Sequence, residues 1–145
     1  QSIADYDKSL KYYLQALKIE EEIGYKRGMA IALNNIGNVY NDLNNYEKAL
    51  EYFHKSLKIQ QELNFKSGIA FSLTTIGNVY SSQKDYEKAL EYYRKALLIH
   101  QETQNQNKIA LTLSSIGSVY NQMGEYELAL AHAQNALIIQ KENGD

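Results

Sequence analysis

The chain has 145 residues, enough for a domain with a substantial core, and its 15 basic and 17 acidic residues nearly cancel to a net charge of −2. With a pI near 5.9 and no basic cluster, neither nucleic acid nor an anionic membrane is an expected partner. Cysteine is absent, which excludes disulfides and thiolate metal sites and fits a cytoplasmic location. Proline is absent as well, so no ring interrupts a helix, and no apolar run approaches the ~18 residues of a membrane span.

The first 23 residues read as one amphipathic helix. Asp5 stands before Tyr6 as a candidate N-cap, and Tyr6, Leu10, Tyr13 and Ala16 share a face. Gly24 stands where a helix end calls for a left-handed residue. A second helix follows near residues 29–43 and contains Ile36-Gly37-Asn38-Val39-Tyr40. A third runs near residues 46–63, capped by Asn45, with Tyr46, Ala49, Leu50, Phe53 and Leu57 at helical spacing. Its outer side carries the favourably ordered pair Glu51 and Lys55.

The pattern then repeats. Ile76-Gly77-Asn78-Val79-Tyr80 and Ile116-Gly117-Ser118-Val119-Tyr120 follow at steps of 40 residues, from 37 to 77 to 117. Helices are therefore expected near residues 69–83 and 86–103, then 109–123 and 126–143. Asp85 repeats the cap of Asn45, whereas Glu125 is a poorer one. Asn64 and Gly144 repeat the position of Gly24, and Gln104, which lacks glycine's freedom, predicts a looser turn. A glycine inside a helix costs roughly 1 kcal/mol relative to alanine. Its recurrence as Gly37, Gly77 and Gly117 predicts close approach of a partner helix, with Ala49, Ala89 and Ala129 as complementary small residues. A chain of such units is an array in which each pair of helices buries its apolar face on its neighbours.

Leu33, Ile36, Gly37 and Tyr40, followed by Ala49, Phe53 and Ser56, resemble the tetratricopeptide repeat. Leu73, Ile76, Gly77, Tyr80, Ala89, Tyr93 and Ala96 match it more fully, and Leu113, Ile116, Gly117, Tyr120, Ala129 and Ala136 match with Ala133 in place of the aromatic. The usual unit has 34 residues. The longer step here, without proline, is similar to the long-helix subclass seen in kinesin light chain, in spindle-orientation adaptors with Leu-Gly-Asn repeats, and in bacterial peptide-responsive regulators and sensor kinases. The resemblance implies an all-α, right-handed solenoid of antiparallel helix pairs with seven helices, first helices lining the concave side and second helices the convex side. It divides the chain into an orphan second helix (1–23) and three repeats (27–63, 67–103 and 107–143), as in a fragment of a longer array.

The same resemblance implies a function in protein–protein interaction, with a peptide or helix of a partner held against the first helices. Its ligand-facing positions fall on Asn34, Asn38 and Asn41, then Thr74, Asn78 and Ser81, then Ser114, Ser118 and Asn121. All are short, polar and uncharged, and asparagine both donates and accepts, as the backbone of an extended peptide requires. The chaperone-type modules of the family clamp a terminal carboxylate with Lys and Arg. Asn34, Asn38, Leu111 and Ser115 occupy those positions here, so no such clamp is expected.

Catalysis is not expected. His54, His100 and His132 stand at different repeat positions with no recurring nucleophile or metal-ligand spacing, and no glycine-rich phosphate loop is present, so neither a metal nor a cofactor is implied. On the last helix, Leu128, Ala131 and Ile138 replace the charged outer stripe of Lys48, Glu51 and Lys58. An apolar stripe of that kind predicts a contact with another domain or a second copy. Two alternatives to the peptide-binding scaffold thus stand: a self-assembling array joined through its open ends, and a sensory segment of a larger signalling protein.

Overall fold

A computed structural model describes residues 3–144. Seven helices account for them, with no strand among the described residues: α1 (Ile3–Ile23), α2 (Lys26–Asp42), α3 (Tyr46–Glu62), α4 (Lys66–Ser82), α5 (Tyr86–Glu102), α6 (Gln106–Met123) and α7 (Tyr126–Gly144). The first helices of the repeats begin three residues earlier than the apolar periodicity marks, at Lys26, Lys66 and Gln106. Apolar spacing registers only large apolar side chains, and each of these helices opens on exposed polar residues, Lys26 and Arg27, Lys66 and Ser67, Gln106 and Asn107. Asn105 supplies the missing start signal for α6, its side chain accepting from the backbone N–H of Lys108.

Asn45 and Asp85 cap α3 and α5 as expected, accepting from the N–H groups of Lys48 and Lys88. Asp5 does not cap α1: it lies inside the helix, its charge in the first turn, where it favours the positive end of the helix dipole. The turns are more uniform than the residue types suggest. Gly24, Asn44, Asn64, Lys84, Gln104 and Gly124 all adopt positive φ, between 49° and 82°. The next residue closes each turn by donating to the carbonyl five positions back, as Asn45 does to Tyr40 at 2.8 Å and Asn105 to His100 at 2.9 Å. The loose turn expected at Gln104 is thus not found, because the glutamine takes the left-handed conformation (φ 52°) and keeps both hydrogen bonds. Gly144 differs too, continuing α7 rather than terminating it in a left-handed turn.

The chain divides into two units, Gln1–Ser72 and Leu73–Asp145. In the first, α2 packs on both α1 and α3. Ala30, Ile36 and Val39 of α2 and Ala49, Phe53 and Leu57 of α3 are all buried, and burying a ring such as that of Phe53 contributes roughly 1.5–3 kcal/mol. Gly37 is the condition for that ring: a Cβ there would stand 2.7 Å from it. Ser56, also fully buried, donates to the carbonyl of Ala30 at 2.9 Å and so satisfies the one polar group the small-residue row brings inside.

In the second unit, α6 packs on α5 and α7. Ala89, Leu90 and Tyr93 of α5 form one buried cluster with Ile116 and Val119 of α6. Gly77 accommodates the Tyr93 ring at 2.8 Å, as Gly37 accommodates Phe53. Gly117 works differently. With Ala133 in place of the aromatic, the backbone of α7 closes in, and a Cβ on Gly117 would lie 3.2 Å from the carbonyl oxygen of Ala129.

Candidate functional site

The ligand-facing positions divide by depth. Asn38, Asn78 and Ser118 are exposed in the middle of helices whose flanking residues, Gly37 and Val39 and their repeats, are buried. The side chain one step after the glycine therefore points away from the core in every repeat. Ser114 and Asn121 are exposed as well, while Asn41, Thr74 and Ser81 are half-buried. Asn34 is not on an open face. It is buried, and its side-chain carbonyl oxygen has no hydrogen-bond partner, as is also true of the sealed oxygen of Asn41.

Asn78 is held in place by the core. The Tyr93 hydroxyl donates to its side-chain carbonyl oxygen at 2.6 Å. That bond uses the acceptor end of the amide and leaves the two amide N–H donors directed away from the tyrosine. Burial pushes the Tyr93 phenol up to about 12, partly opposed by Ser81, and the hydroxyl is a donor at neutral pH as an ordinary phenol also is. Asn38 lacks this restraint because its counterpart ring is Phe53, and Ser118 lacks it because Ala133 has no ring at all. The sequence carried the signal in the Phe53, Tyr93, Ala133 series, but not the pairing across helices.

In the second unit, Ser114, Ser118 and Asn121 line a groove of about 670 Å³ together with Tyr126, Leu130 and Leu137 of α7. The apolar wall was not anticipated. Leu130 and Leu137 are 59% and 50% exposed, whereas Leu90, one repeat earlier than Leu130, is 5% exposed beneath α6. The outer stripe of the same helix, Leu128, Ala131 and Ile138, is exposed along its length.

The histidines do not converge. His100 is buried, and its imidazole is held below the ordinary value by desolvation and then by the nearby Lys108. His132 stacks on Tyr120 with centroids 5.4 Å apart, where the earlier repeats stack Tyr52 on Tyr40 and Tyr92 on Tyr80. Among the described residues no group of three or more acidic or histidine side chains could hold a metal ion. No helix of the described residues is long and apolar enough to cross a membrane.

Two models of the tetratricopeptide repeat match the chain, one over residues 1–62 and 28–102 and the other over residues 109–143. No curated protein matches it significantly. Among solved structures, BtubC (BKLC) from P. vanneervenii is 26% identical with a TM-score of 0.87, the match covering 97% of this chain and 59% of that one. The apo form of RapI is 30% identical with a TM-score of 0.86, over 97% of this chain and 39% of RapI. A Rap protein complexed with Competence and Sporulation Factor has the same fold, at 24% identity and a TM-score of 0.87, over 97% of this chain and 39% of that protein. The chain thus spans between about two fifths and three fifths of the length of these relatives. Helix pairs on a 40-residue step and family models covering nearly every residue agree: the chain belongs to the tetratricopeptide repeat family, with the all-α solenoid fold of that family.

Proposed function

We propose that this chain is a non-enzymatic protein-interaction module whose first helices bind an extended peptide segment of a partner. The observation that carries the reading is the Tyr93–Asn78 hydrogen bond, which fixes an exposed asparagine with its amide donors free for a ligand carbonyl. An extended peptide offers a carbonyl at every residue, and a side chain already held in one rotamer loses little entropy on binding. Asn38 and Ser118 occupy the same exposed position in their own repeats. The fold-level relative that holds Competence and Sporulation Factor is consistent with a bound second molecule as the purpose of such an array.

The test is a peptide selected by the chain from a random library. Asn38→Ala/Asn78→Ala should weaken its binding by about tenfold or more, the worth of one or two hydrogen bonds, with helicity unchanged. Equal binding by the double variant would move the site off these faces. A peptide ending in Glu-Glu-Val-Asp should not bind with micromolar affinity, since no lysine or arginine stands at the clamp positions.

A second reading rests on α7. Its exposed Leu128 and Ile138 favour a contact with another copy or another domain, and so a structural role for the array. In a larger protein the same repeats would serve as a sensory segment whose peptide occupancy is passed to an attached domain. A cytoplasmic location suits either role, given a chain without cysteine.

A further inference from the structure

The groove between α6 and α7, of about 670 Å³, owes its depth to one missing ring. In the first unit the Phe53 ring lies against Gly37, and in the second the Tyr93 ring lies against Gly77. A Cβ on those glycines would stand 2.7 Å and 2.8 Å from the ring. The same position on α7 is Ala133. A Cβ on Gly117 would meet no ring among its nearest atoms, only the Ala129 carbonyl oxygen at 3.2 Å, the His132 Cβ at 3.4 Å and the Ala133 nitrogen at 3.6 Å. That contact leaves the volume of the ring open, since Gly117, Ala133 and Ala136 all line the groove. Gly117 thus keeps a glycine, costly inside a helix, with no ring of its own chain to admit.

The walls show the same vacancy from the side. Tyr86, Leu90 and Leu97 pack into the cluster that α5 forms with Ile116 and Val119 of α6. One repeat later Tyr126, Leu130 and Leu137 line the groove and are half exposed or more. None of the lining residues is charged. A charged side chain entering there would lose hydration without gaining a partner, whereas a ring gains apolar contact on its faces and edges.

We infer that this groove takes an aromatic side chain of a bound peptide, tyrosine in preference to phenylalanine, in the place that Phe53 and Tyr93 occupy in their own repeats. The inference rests on the reading that the first helices take a peptide, and adds a residue preference to it. The two earlier repeats define the occupant, because the volume against the interior glycine holds an aromatic ring in both. The preference for a phenol comes from Ser118. It stands at the position of Asn78, which accepts from the Tyr93 hydroxyl at 2.6 Å. The Ser118 hydroxyl oxygen receives only a long contact of 3.4 Å from the Gln122 amide, and a hydroxyl oxygen accepts twice. The groove is larger than one ring, so residues flanking the aromatic one can lie along Leu130 and Leu137.

The probe is N-acetyltyrosine N-methylamide, titrated into the 15N-labelled chain and compared with the phenylalanine, norleucine and arginine analogues. Saturable shifts are expected at the amides of Gly117, Ser118 and Ala133. The tyrosine analogue should bind about fivefold more tightly than the norleucine analogue, in line with the added worth of a packed ring. Ala133→Tyr, which supplies the ring from within the chain, should raise the melting temperature and abolish the shifts. Ser118→Ala should remove the preference for tyrosine over phenylalanine. If Ala133→Tyr loses its dispersed spectrum, Leu137→Ser on the wall takes its place and should weaken the tyrosine analogue several-fold. Equal affinity for norleucine, tighter binding of arginine, undiminished binding by Ala133→Tyr, or no saturable shift would overturn the subsite. Shifts at the same amides driven by chain concentration alone, with none added by the probe, would give the groove to a second copy and overturn it as well. None of these failures touches the peptide reading, which is judged by Asn38 and Asn78.

Discussion

At the level of single residues, the three interior glycines serve two different packings. Gly37 and Gly77 each admit a ring that is sealed in the core, and neither ring can retreat. Gly37→Ala and Gly77→Ala should therefore destabilise by about 1–3 kcal/mol through overpacking, even though alanine is the better helix former by about 1 kcal/mol. A Cβ on Gly117 would meet the Ala129 carbonyl oxygen at 3.2 Å and the half-buried His132 Cβ at 3.4 Å, so a shift of a few tenths of an ångström accommodates a methyl. Gly117→Ala should be close to neutral, and urea denaturation of the three variants would reveal whether the ordering holds. His100 makes a second prediction. Burial and Lys108 hold its pKa below the ordinary 6.5, so the fold prefers the neutral ring. That contribution is intact above pH 6.5 and is lost as pH falls from there through the lower folded value. His100→Gln, which installs the residue found at positions 60 and 140, should flatten the loss of melting temperature between about pH 7 and pH 5. An undiminished slope would place the titration elsewhere.

Between helices, the chain enforces one turn regardless of the residue that makes it. Lys84 and Gln104 adopt φ of 62° and 52° where Gly24 and Gly124 do so without strain. Lys84→Gly and Gln104→Gly should each raise stability by about 1 kcal/mol, a gain partly offset by the greater freedom of glycine in the unfolded chain. Asn105→Ala, which removes the acceptor for the Lys108 N–H, should cost about 1 kcal/mol. Thermal melts of the single variants would show both signs, and a destabilising glycine at 104 would contradict the left-handed assignment. These turns also mark what could be read from residues alone. Helix number and order followed from the spacing of Tyr46, Ala49, Phe53 and their repeats, because burial imposes a period that substitution does not erase. The turn at Gln104 did not follow, since its conformation is imposed by the two helices it joins against its own preference. Asn78 was recognisable as exposed and polar, whereas its bond to Tyr93 was not, because partners on different helices are joined by packing and leave no trace in spacing. Asn34 shows the opposite case, a residue that family position places on the ligand face and that the fold buries beside Gln60.

For the molecule as a whole, the decisive asymmetry is between the outer faces of the second helices. On α3 and α5 the outer stripe is paired charge: Lys55 with Glu51, Lys95 with Glu91, and lysines over the stacked tyrosines at 5.0–5.1 Å. Such exposed pairs add at most about 1 kcal/mol each to stability, and their larger effect is to keep these faces hydrated and single. On α7, Leu128 and Asn135 stand where Lys48 and Lys55 stood, and Leu128, Leu130, Leu137 and Ile138 are all about half exposed. Apolar surface in that arrangement gains by association, with no charge on the stripe to oppose it. The expected result is that the parent chain gains mass in multi-angle light scattering as concentration rises from about micromolar to about millimolar, the range set by a weak contact. Leu128→Glu/Ile138→Lys should hold the mass at that of one chain throughout, with an unchanged helical spectrum. Leu130→Glu/Leu137→Lys on the groove side of the same helix separates the two surfaces. If it abolishes association while the outer pair does not, the contact belongs to the groove with Ser114 and Ser118. If neither double variant changes the mass, α7 has no part in self-association.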